Sequence, residues 1–169
     1  NYELAFRMQS AVPELTELSG ESETTKQLYG LDDKSTEIFG HQCLLARRLV
    51  ERGVRFVQVW SGPSGPTKNW DNHANIQTEL PYMANQVDRP IAALVKDLKS
   101  RGLFEDTLVI WTTEFGRMPF SQQESGRDNN GGTFVTWIAG AGLNAGVAHG
   151  ESDEWGWKAR TPIYCYDLH

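Results

Sequence analysis

The sequence has few of the features that would assign it a function at once. Its 169 residues include only two cysteines, Cys43 and Cys165, which form neither a Cys-x-x-Cys pair nor a zinc-binding cluster. It contains no Gly-x-Ser-x-Gly nucleophile motif and no P-loop. This sequence therefore carries no cysteine zinc cluster, no nucleophile elbow and no phosphate-binding P-loop. The two cysteines allow one intrachain disulfide or two buried thiols.

Positive charge and long apolar runs are also scarce. Lysine and arginine number 16 against 22 aspartates and glutamates, which gives a net charge of −6 and predicts no nucleic-acid partner. No apolar run approaches the ~18 residues that cross a bilayer, so we expect no membrane span. The length suits a single domain, 1–169, with one core. Because the chain opens inside a helical pattern at Tyr2–Met8, we expect a fragment of a longer protein.

Helical and strand patterns alternate along the chain. Short helical pieces broken by turn residues are expected over 1–34. Apolar spacing predicts helices over 35–52 and 76–101, with a kink or break at Pro81 or Pro90 in the second. Gly53 and Gly102 mark the expected helix ends. The predicted strands are Val54–Trp60, Thr107–Thr113 and Thr133–Ala139.

This order of elements predicts an α/β fold. Strands separated by helices favour a mostly parallel central sheet with helices on both faces, and the apolar centres of the strands should then be buried. In such sheets ligands bind beyond the carboxyl ends of the strands. The polar loops next to the strands are therefore where a functional site is expected.

The first of these loops contains Asp71 and His73. Two residues apart in extended backbone, their side chains point to the same side. A carboxylate and an imidazole together suit a divalent metal such as zinc. The alternative is that Asp71 caps the following helix and His73 lies on its first turn.

Two further loops carry the remaining candidates. Glu114 and Arg117 follow the second predicted strand, as a metal-binding carboxylate and an anion-binding guanidinium or as a local ion pair. Arg127, Asp128 and Asn129 precede the third strand, as a ligand-bearing loop or as ordinary turn formers. Three polar loops that each border a strand end favour a site. The predicted metal ligands are Asp71, His73, Glu114 and Asp128, and the predicted substrate contacts are Arg117, Arg127 and Asn129.

Motifs along the whole chain also carry a family resemblance. In this order they resemble the bacterial sulfatase-like proteins grouped as domain of unknown function fifteen-oh-one. The chain looks like the C-terminal part of such a protein. The matching motifs include Tyr2–Gln9, Leu45–Leu49, Trp70–His73, Thr112–Arg117, Gly126–Asn129 and Asp167–His169.

The resemblance implies an activity. It places the protein near the alkaline phosphatase and sulfatase superfamily, whose members have an α/β core, divalent metals and an N-terminal nucleophile loop. It therefore implies a metal-dependent hydrolase of small sulfate or phosphate esters, with calcium, zinc, magnesium or manganese as the ion. The nucleophile would come from the N-terminal part of the same protein, and the protein would be periplasmic or otherwise exported.

The sequence departs from the superfamily pattern at two places. Glu114 and Phe115 stand where an Asp-His metal-binding pair is expected, and Asn129 stands where the family often has histidine. Asparagine binds metal only through its amide oxygen, which favours a hard ion. The alternative function is a catalytically silent, exported binding or assembly module that keeps the fold.

Overall fold

The computed structural model describes Glu3 and residues 12–62 and 69–163. Its helices are α1 (Val12–Thr16), α2 (Glu23–Leu28), α3 (Glu37–Glu51) and α4 (Ile76–Ser100), followed by a short 3-10 helix (Phe104–Asp106). Its strands are β1 (Leu108–Trp111), β2 (Gly116–Arg117), β3 (Asn129–Asn130) and β4 (Trp137–Gly140).

The chain divides into two compact units. The first comprises Asn1–Gly62 and Ala84–Phe104, and the second comprises Pro63–Met83 and Glu105–His169. The boundary falls inside α4, which runs as one helix through both Pro81 and Pro90 rather than as two. None of the described helices is long and apolar enough to cross a membrane.

The structure confirms the two long predicted helices. Helix α3 ends at Glu51 and is terminated by Gly53, whose φ of 84° lets the Val54 N–H bond back to the Leu49 carbonyl. Gly102, with a φ of 69°, terminates α4 in the same way, and the Leu103 N–H bonds back to the Leu98 carbonyl. The core of the first unit centres on buried Tyr29, Cys43, Leu44 and Ala93.

Burial also determines the protonation state of Cys43. The Cys43 thiol is free and buried, and its burial raises the pKa to about 12, so it stays protonated. Cys165 lies outside the described residues. Cys43 therefore acts as a small apolar core residue.

A buried arginine joins three acidic residues of the first unit. Arg47, 1% exposed, lies 2.7 Å from Glu51, 2.8 Å from Glu21 and 2.9 Å from Asp97 (nearest atoms). Desolvation lowers the pKa of Arg47, but hydrogen bonds to Glu21 and Glu51 and the charge of Asp97 outweigh it and raise the pKa overall. Arg47 thus stays charged inside the unit, and its ion pairs connect α3 to α4 and to the segment that precedes α2.

The second unit is built on nested antiparallel hairpins. Strand β1 pairs with β4, placing Leu108 opposite Gly140 and Trp111 opposite Trp137. Within the loop that joins them, β2 pairs with β3, and Gly116 lies opposite Asn130. The inner hairpin continues toward its turn, because Met118 N–H donates to the Asp128 carbonyl over 2.8 Å.

The predicted parallel sheet is therefore wrong. The described residues contain two small antiparallel two-stranded sheets and not a central parallel sheet with helices on both faces. A parallel pair needs a long crossover, usually a helix, whereas the chain between β1 and β4 folds into a hairpin of its own. The strand centres are not buried either, since Ile110 is 48% and Ile138 is 42% exposed.

The first predicted strand, Val54–Trp60, is also wrong. This segment has no strand assignment, and both Phe56 and Trp60 are 78% exposed. Its alternating, β-branched sequence suits a pleated surface, but a strand forms only when another strand supplies the backbone partners. The other two predicted strands correspond to β1 and β4 because each supplies the partner of the other.

A turn of the second unit docks onto the segment that precedes α4. Arg127 N–H donates to the Asn72 carbonyl over 2.8 Å, and the Ser125 hydroxyl donates to the Ala74 carbonyl over 2.7 Å. Between these bonds Gly126 lies directly against the His73 backbone, since a Cβ there would be 1.8 Å from the His73 carbonyl oxygen. The docking therefore needs glycine at position 126 and fixes the backbone at His73.

We expect Arg47→Met to destabilise the first unit by about 3 kcal/mol, because it removes the buried partner of Glu21 and Asp97, which are 11% and 8% exposed. Arg101 still pairs with Asp97, which keeps the loss at the low end for a broken buried ion pair. Urea unfolding of the variant measures this loss. Arg52→Met is the matched control, since Arg52 pairs with a Glu14 side chain that is 79% exposed, and it should cost under about 1 kcal/mol. Equal losses in the two variants would contradict a dominant role for Arg47.

We expect Gly126→Ala to separate the turn from the Asn72–Ala74 backbone, because the added methyl group collides with the His73 carbonyl. Amide hydrogen exchange at Arg127 should become faster by at least an order of magnitude. Gly131→Ala is the control, because a Cβ at Gly131 meets nothing within 4 Å. Unchanged protection of the Arg127 amide in Gly126→Ala would disprove the contact.

Candidate functional site

Asp71 and His73 form the centre of the candidate site. His73 Nε2 lies 2.9 Å from Asp71 Oδ1, and the two residues share a tight turn in which His73 N–H donates to the Asp71 carbonyl. Asn69 fixes the start of this turn by accepting the Asp71 N–H through its side chain. Asp71 lies ahead of the first turn of α4 and its carboxylate binds Arg117, so it does not serve as the helix cap.

Arg117, on β2, connects the segments of the site. Its Nη2 donates to Asp71 Oδ1 over 2.7 Å, and its Nη1 lies 3.4 Å from His73 Nε2. The same guanidinium donates to the backbone carbonyls of Trp70 and Arg127, each over 3.3 Å. One side chain thus binds both loops as well as the imidazole and the carboxylate.

The Arg117 contact controls the charge of Asp71. The hydrogen bond from Arg117 has the largest effect and lowers the pKa of Asp71. Burial raises that pKa, but the charges of His73 and Arg117 lower it again, so the pKa is lowered overall. Because the Asp71 side chain is 59% exposed, solvent screens these interactions. Asp71 is nevertheless ionised at neutral pH.

The other nitrogen of His73 faces a different set of groups. Nδ1 lies 2.7 Å from Gln122 Oε1 and 3.9 Å from Asp128 Oδ1. The two ring nitrogens point away from each other, so Asp71 and Asp128 lie on opposite sides of the imidazole. Asp128 is held beside β2 by the hydrogen bond from Met118 to its carbonyl.

Glu114 lies near the site but binds locally. Its carboxylate accepts the Thr113 hydroxyl over 2.8 Å. A hydrogen bond from its own backbone N–H and the bond from Thr113 lower the pKa of Glu114, while the negative charge of Asp71 raises it. Glu114 therefore binds within its own loop and makes no direct bond to Asp71 or His73 in the part of the chain that the structure describes.

Arg127 and Asn129 are less directed toward His73. Arg127 Nη1 donates to the carbonyls of Gly126 and Ser125 over 2.8 and 3.2 Å, and lies 3.4 Å from the Ser121 hydroxyl. Asn129 is exposed on β3, and its backbone N–H donates to Asp128 Oδ1. Arg127 therefore supports the turn, and a substrate contact would require its guanidinium to leave these carbonyls.

Sequence reasoning missed two polar residues that shape the site. Gln122 contacts the imidazole, yet a single glutamine in a polar loop gives no signal of such a role. Asn72 is 4% exposed, and its amide donates to the Asn69 carbonyl and to Glu79 Oε2. The sequence did offer one signal for Asn72, which is its position between Asp71 and His73. A side-chain amide at that position can hold the turn by hydrogen bonding to the backbone.

The described side chains fit a divalent metal only in part. Asp71 Oδ1 and His73 Nε2 are close enough to bind one ion together. Asp128 lies at the opposite nitrogen and Glu114 at Thr113, and within residues 12–62 and 69–163 no three His, Cys, Asp or Glu side chains are arranged to hold a metal. The site therefore offers a ligand pair and not a complete metal centre.

Comparisons with known proteins identify a family. The family model described as "Protein of unknown function (DUF1501)" matches residues 1–169. Comparison with curated proteins and with solved structures found no match. The family description assigns no activity. Because the match covers the whole of this sequence, the chain belongs to the DUF1501 family.

Proposed function

We propose that this chain supplies a metal-ligand pair and anion-binding arginines to a sulfatase-like hydrolase of sulfate or phosphate esters. The observation that carries the proposal is the 2.9 Å separation of His73 Nε2 and Asp71 Oδ1, with the imidazole held from its other nitrogen. The relation of the family to sulfatases is part of this proposal and rests on the motif resemblance.

The separation suits two ligands of one ion. Histidine nitrogen and carboxylate oxygen bind zinc at ~2.0–2.2 Å, so adjacent ligands of one tetrahedral ion lie about 3.4 Å apart. The observed 2.9 Å pair would open slightly to hold the ion. A metal-binding histidine also donates its second N–H to a nearby oxygen, which fixes the ring. Gln122 and Asp128 both present oxygens on that side of His73.

The two arginines suit the anionic end of the substrate. A guanidinium presents a planar fork of donors that matches sulfate or phosphate oxygens. Arg117 already lies beside the ligand pair, so a small rotation would bring it from Asp71 to a bound anion. A divalent ion bound there would polarise the ester oxygen, while the arginines would bind and orient the anion.

The rest of the proposal follows from the family resemblance. The nucleophile and the remaining metal ligands would come from parts of the protein outside the described residues. The resemblance also favours an exported protein. The substrate class is a small anionic ester.

A catalytically silent binding module is the second candidate. It is favoured by the position of Arg117, whose guanidinium reaches both Asp71 Oδ1 and His73 Nε2 and so places a positive charge where an ion would bind. In that case the site would be a permanent ion-pair cluster. Measurements of metal binding and of turnover separate the two candidates.

We expect Zn²⁺ or Mn²⁺ to stabilise the full-length protein, because an ion that binds only the folded state raises its stability, by about 2.7 kcal/mol at a hundredfold excess over Kd. Combining Asp71→Asn with His73→Gln should abolish this gain. Thermal unfolding with and without metal, together with metal content, measures the effect.

The matched control combines Asp106→Asn with His149→Gln, since both residues are exposed. This variant should respond to metal like the parent protein. Activity is assayed on an aryl sulfate and an aryl phosphate. A parent protein without metal and without turnover on either ester would support the silent module and reject the hydrolase.

We expect Arg117→Gln to raise the pKa of Asp71 toward its ordinary value near ~3.9, because it removes the hydrogen bond that lowers it. In the parent, ionised Asp71 adds stability above about pH 4, and this contribution is lost as the pH falls through the lowered pKa. A carboxyl NMR titration measures the shift. Arg127→Gln should leave it unchanged, and an unshifted Asp71 in Arg117→Gln would refute the assignment.

A further inference from the structure

Residues 54–60 of the first unit lie at the surface without a strand partner. From position 56 to position 60 the side chains alternate between exposed and half-buried, as successive side chains of a β-strand do. Phe56 and Trp60 are each 78% exposed, and Gln58 between them is exposed as well. The segment therefore has the two faces of a strand, and its aromatic face is open to solvent.

The backbone of the segment is also open to pairing. Among the residues that the structure describes, none forms a hydrogen bond with a backbone N–H or C=O of residues 55–60. The Val54 N–H is already used, because it closes the end of α3. An extended run with open N–H and C=O groups is a template on which a further strand can pair.

The residue types of this segment repeat in reverse order about its centre. Phe56, Val57, Gln58, Val59 and Trp60 are aromatic, valine, glutamine, valine and aromatic. If two copies pair antiparallel with Gln58 opposite Gln58, each aromatic residue lies opposite an aromatic residue and each valine opposite a valine. Because side chains alternate with a period of two, the aromatic residues of both copies lie on one face of the pair.

We propose that two copies of this chain associate through residues 56–60, which pair as antiparallel strands across a two-fold axis at Gln58. The interface is isologous, since each copy presents the same segment to the other. None of the candidate site residues lies in it, so the inference does not depend on the proposed function.

The aromatic pairs favour this register over the neighbouring one. With Gln58 on the axis, Phe56 of each copy lies opposite Trp60 of the other, which gives two aromatic pairs. With Val57 on the axis, Phe56 would lie opposite Gln58 and neither aromatic pair would form. Aromatic and β-branched cross-strand pairs are the ones that stabilise antiparallel strands.

The charges are compatible with the same register. Arg55 is the charged residue of the segment, and it lies opposite Ser61 of the second copy when Gln58 is on the axis. The two Arg55 side chains are then six residues apart along the strands, which is about 20 Å. This distance exceeds the range over which salt leaves surface charges unscreened. A second copy therefore meets this segment without a like-charge contact.

Sedimentation velocity of the full-length protein at increasing concentration tests the association. We expect a reversible monomer–dimer equilibrium in the parent. Gln58→Glu places two carboxylates opposite each other at the axis, so it should raise the dimer Kd by at least about tenfold. Gln42→Glu is the matched control, because Gln42 is exposed on α3, and it should keep the parent Kd.

A mixing experiment tests the two-fold axis. Gln58→Lys should also weaken the dimer, since two ammonium groups would then face each other. A mixture of Gln58→Glu with Gln58→Lys should restore it as a heterodimer, because opposite charges meet across the axis. Native mass spectrometry counts the species. The mixture of Gln42→Glu with Gln42→Lys should show no preference for the heterodimer.

Hydrogen exchange measures the pairing itself and the folding of the variants. Amides of residues 56–60 should exchange more slowly as the parent concentration rises, and this effect should be lost in Gln58→Glu. Because the backbone of residues 55–60 has no bonds to the described residues, both Gln58 variants should unfold at the same urea concentration as the monomeric parent.

Three results would overturn the proposal. The first is a parent that remains monomeric at ~100 μM, because specific interfaces bind in the micromolar range or tighter. The second is a dimer that Gln58→Glu leaves intact, since the interface would then lie elsewhere. The third is protection of residues 56–60 that does not depend on concentration, because another segment of the same protein would then cover them.

Discussion

The candidate site depends on the guanidinium of Arg117. It binds the Asp71 carboxylate, the Trp70 carbonyl and the Arg127 carbonyl, and it reaches His73 Nε2. Both polar loops carry charged side chains. Without a shared cation the two loops would repel each other, or each would be solvated separately. Because one planar group provides several donors in fixed directions, it sets both the distance and the orientation of the loops.

The antiparallel hairpins determine where these loops meet. In a parallel sheet the site would lie beyond the carboxyl ends of several strands. Here the inner hairpin delivers Arg117 on one arm and Asp128 near the other, so residues far apart in sequence face the same histidine. The turn at the end of that hairpin then fixes the histidine backbone through Gly126.

Local sequence patterns predicted the helices. The strands were predicted less well, because their pairing depends on residues far apart in the chain. Apolar spacing and the glycine stops at Gly53 and Gly102 identified α3 and α4, because helices depend on near neighbours. Strand direction depends on the whole connecting segment, so the antiparallel pairing was not predictable from β1 and β4 alone. In the site, Asp71 and His73 lie together as expected, but through a tight turn and not through the extended backbone on which the prediction rested. The contact of Gln122 depends on backbone docking that no motif records.

The bonds that hold the site together end largely on main-chain carbonyls, those of Trp70, Asn72, Ala74 and Arg127. A carbonyl is present whatever side chain a residue carries. The frame can therefore tolerate exchange of the Asp71 or His73 side chain as long as Arg117 and the Ser125–Arg127 turn keep the loops in their positions. Such a scaffold can acquire or lose a reaction through very few substitutions, which separates the evolution of its chemistry from the maintenance of its architecture.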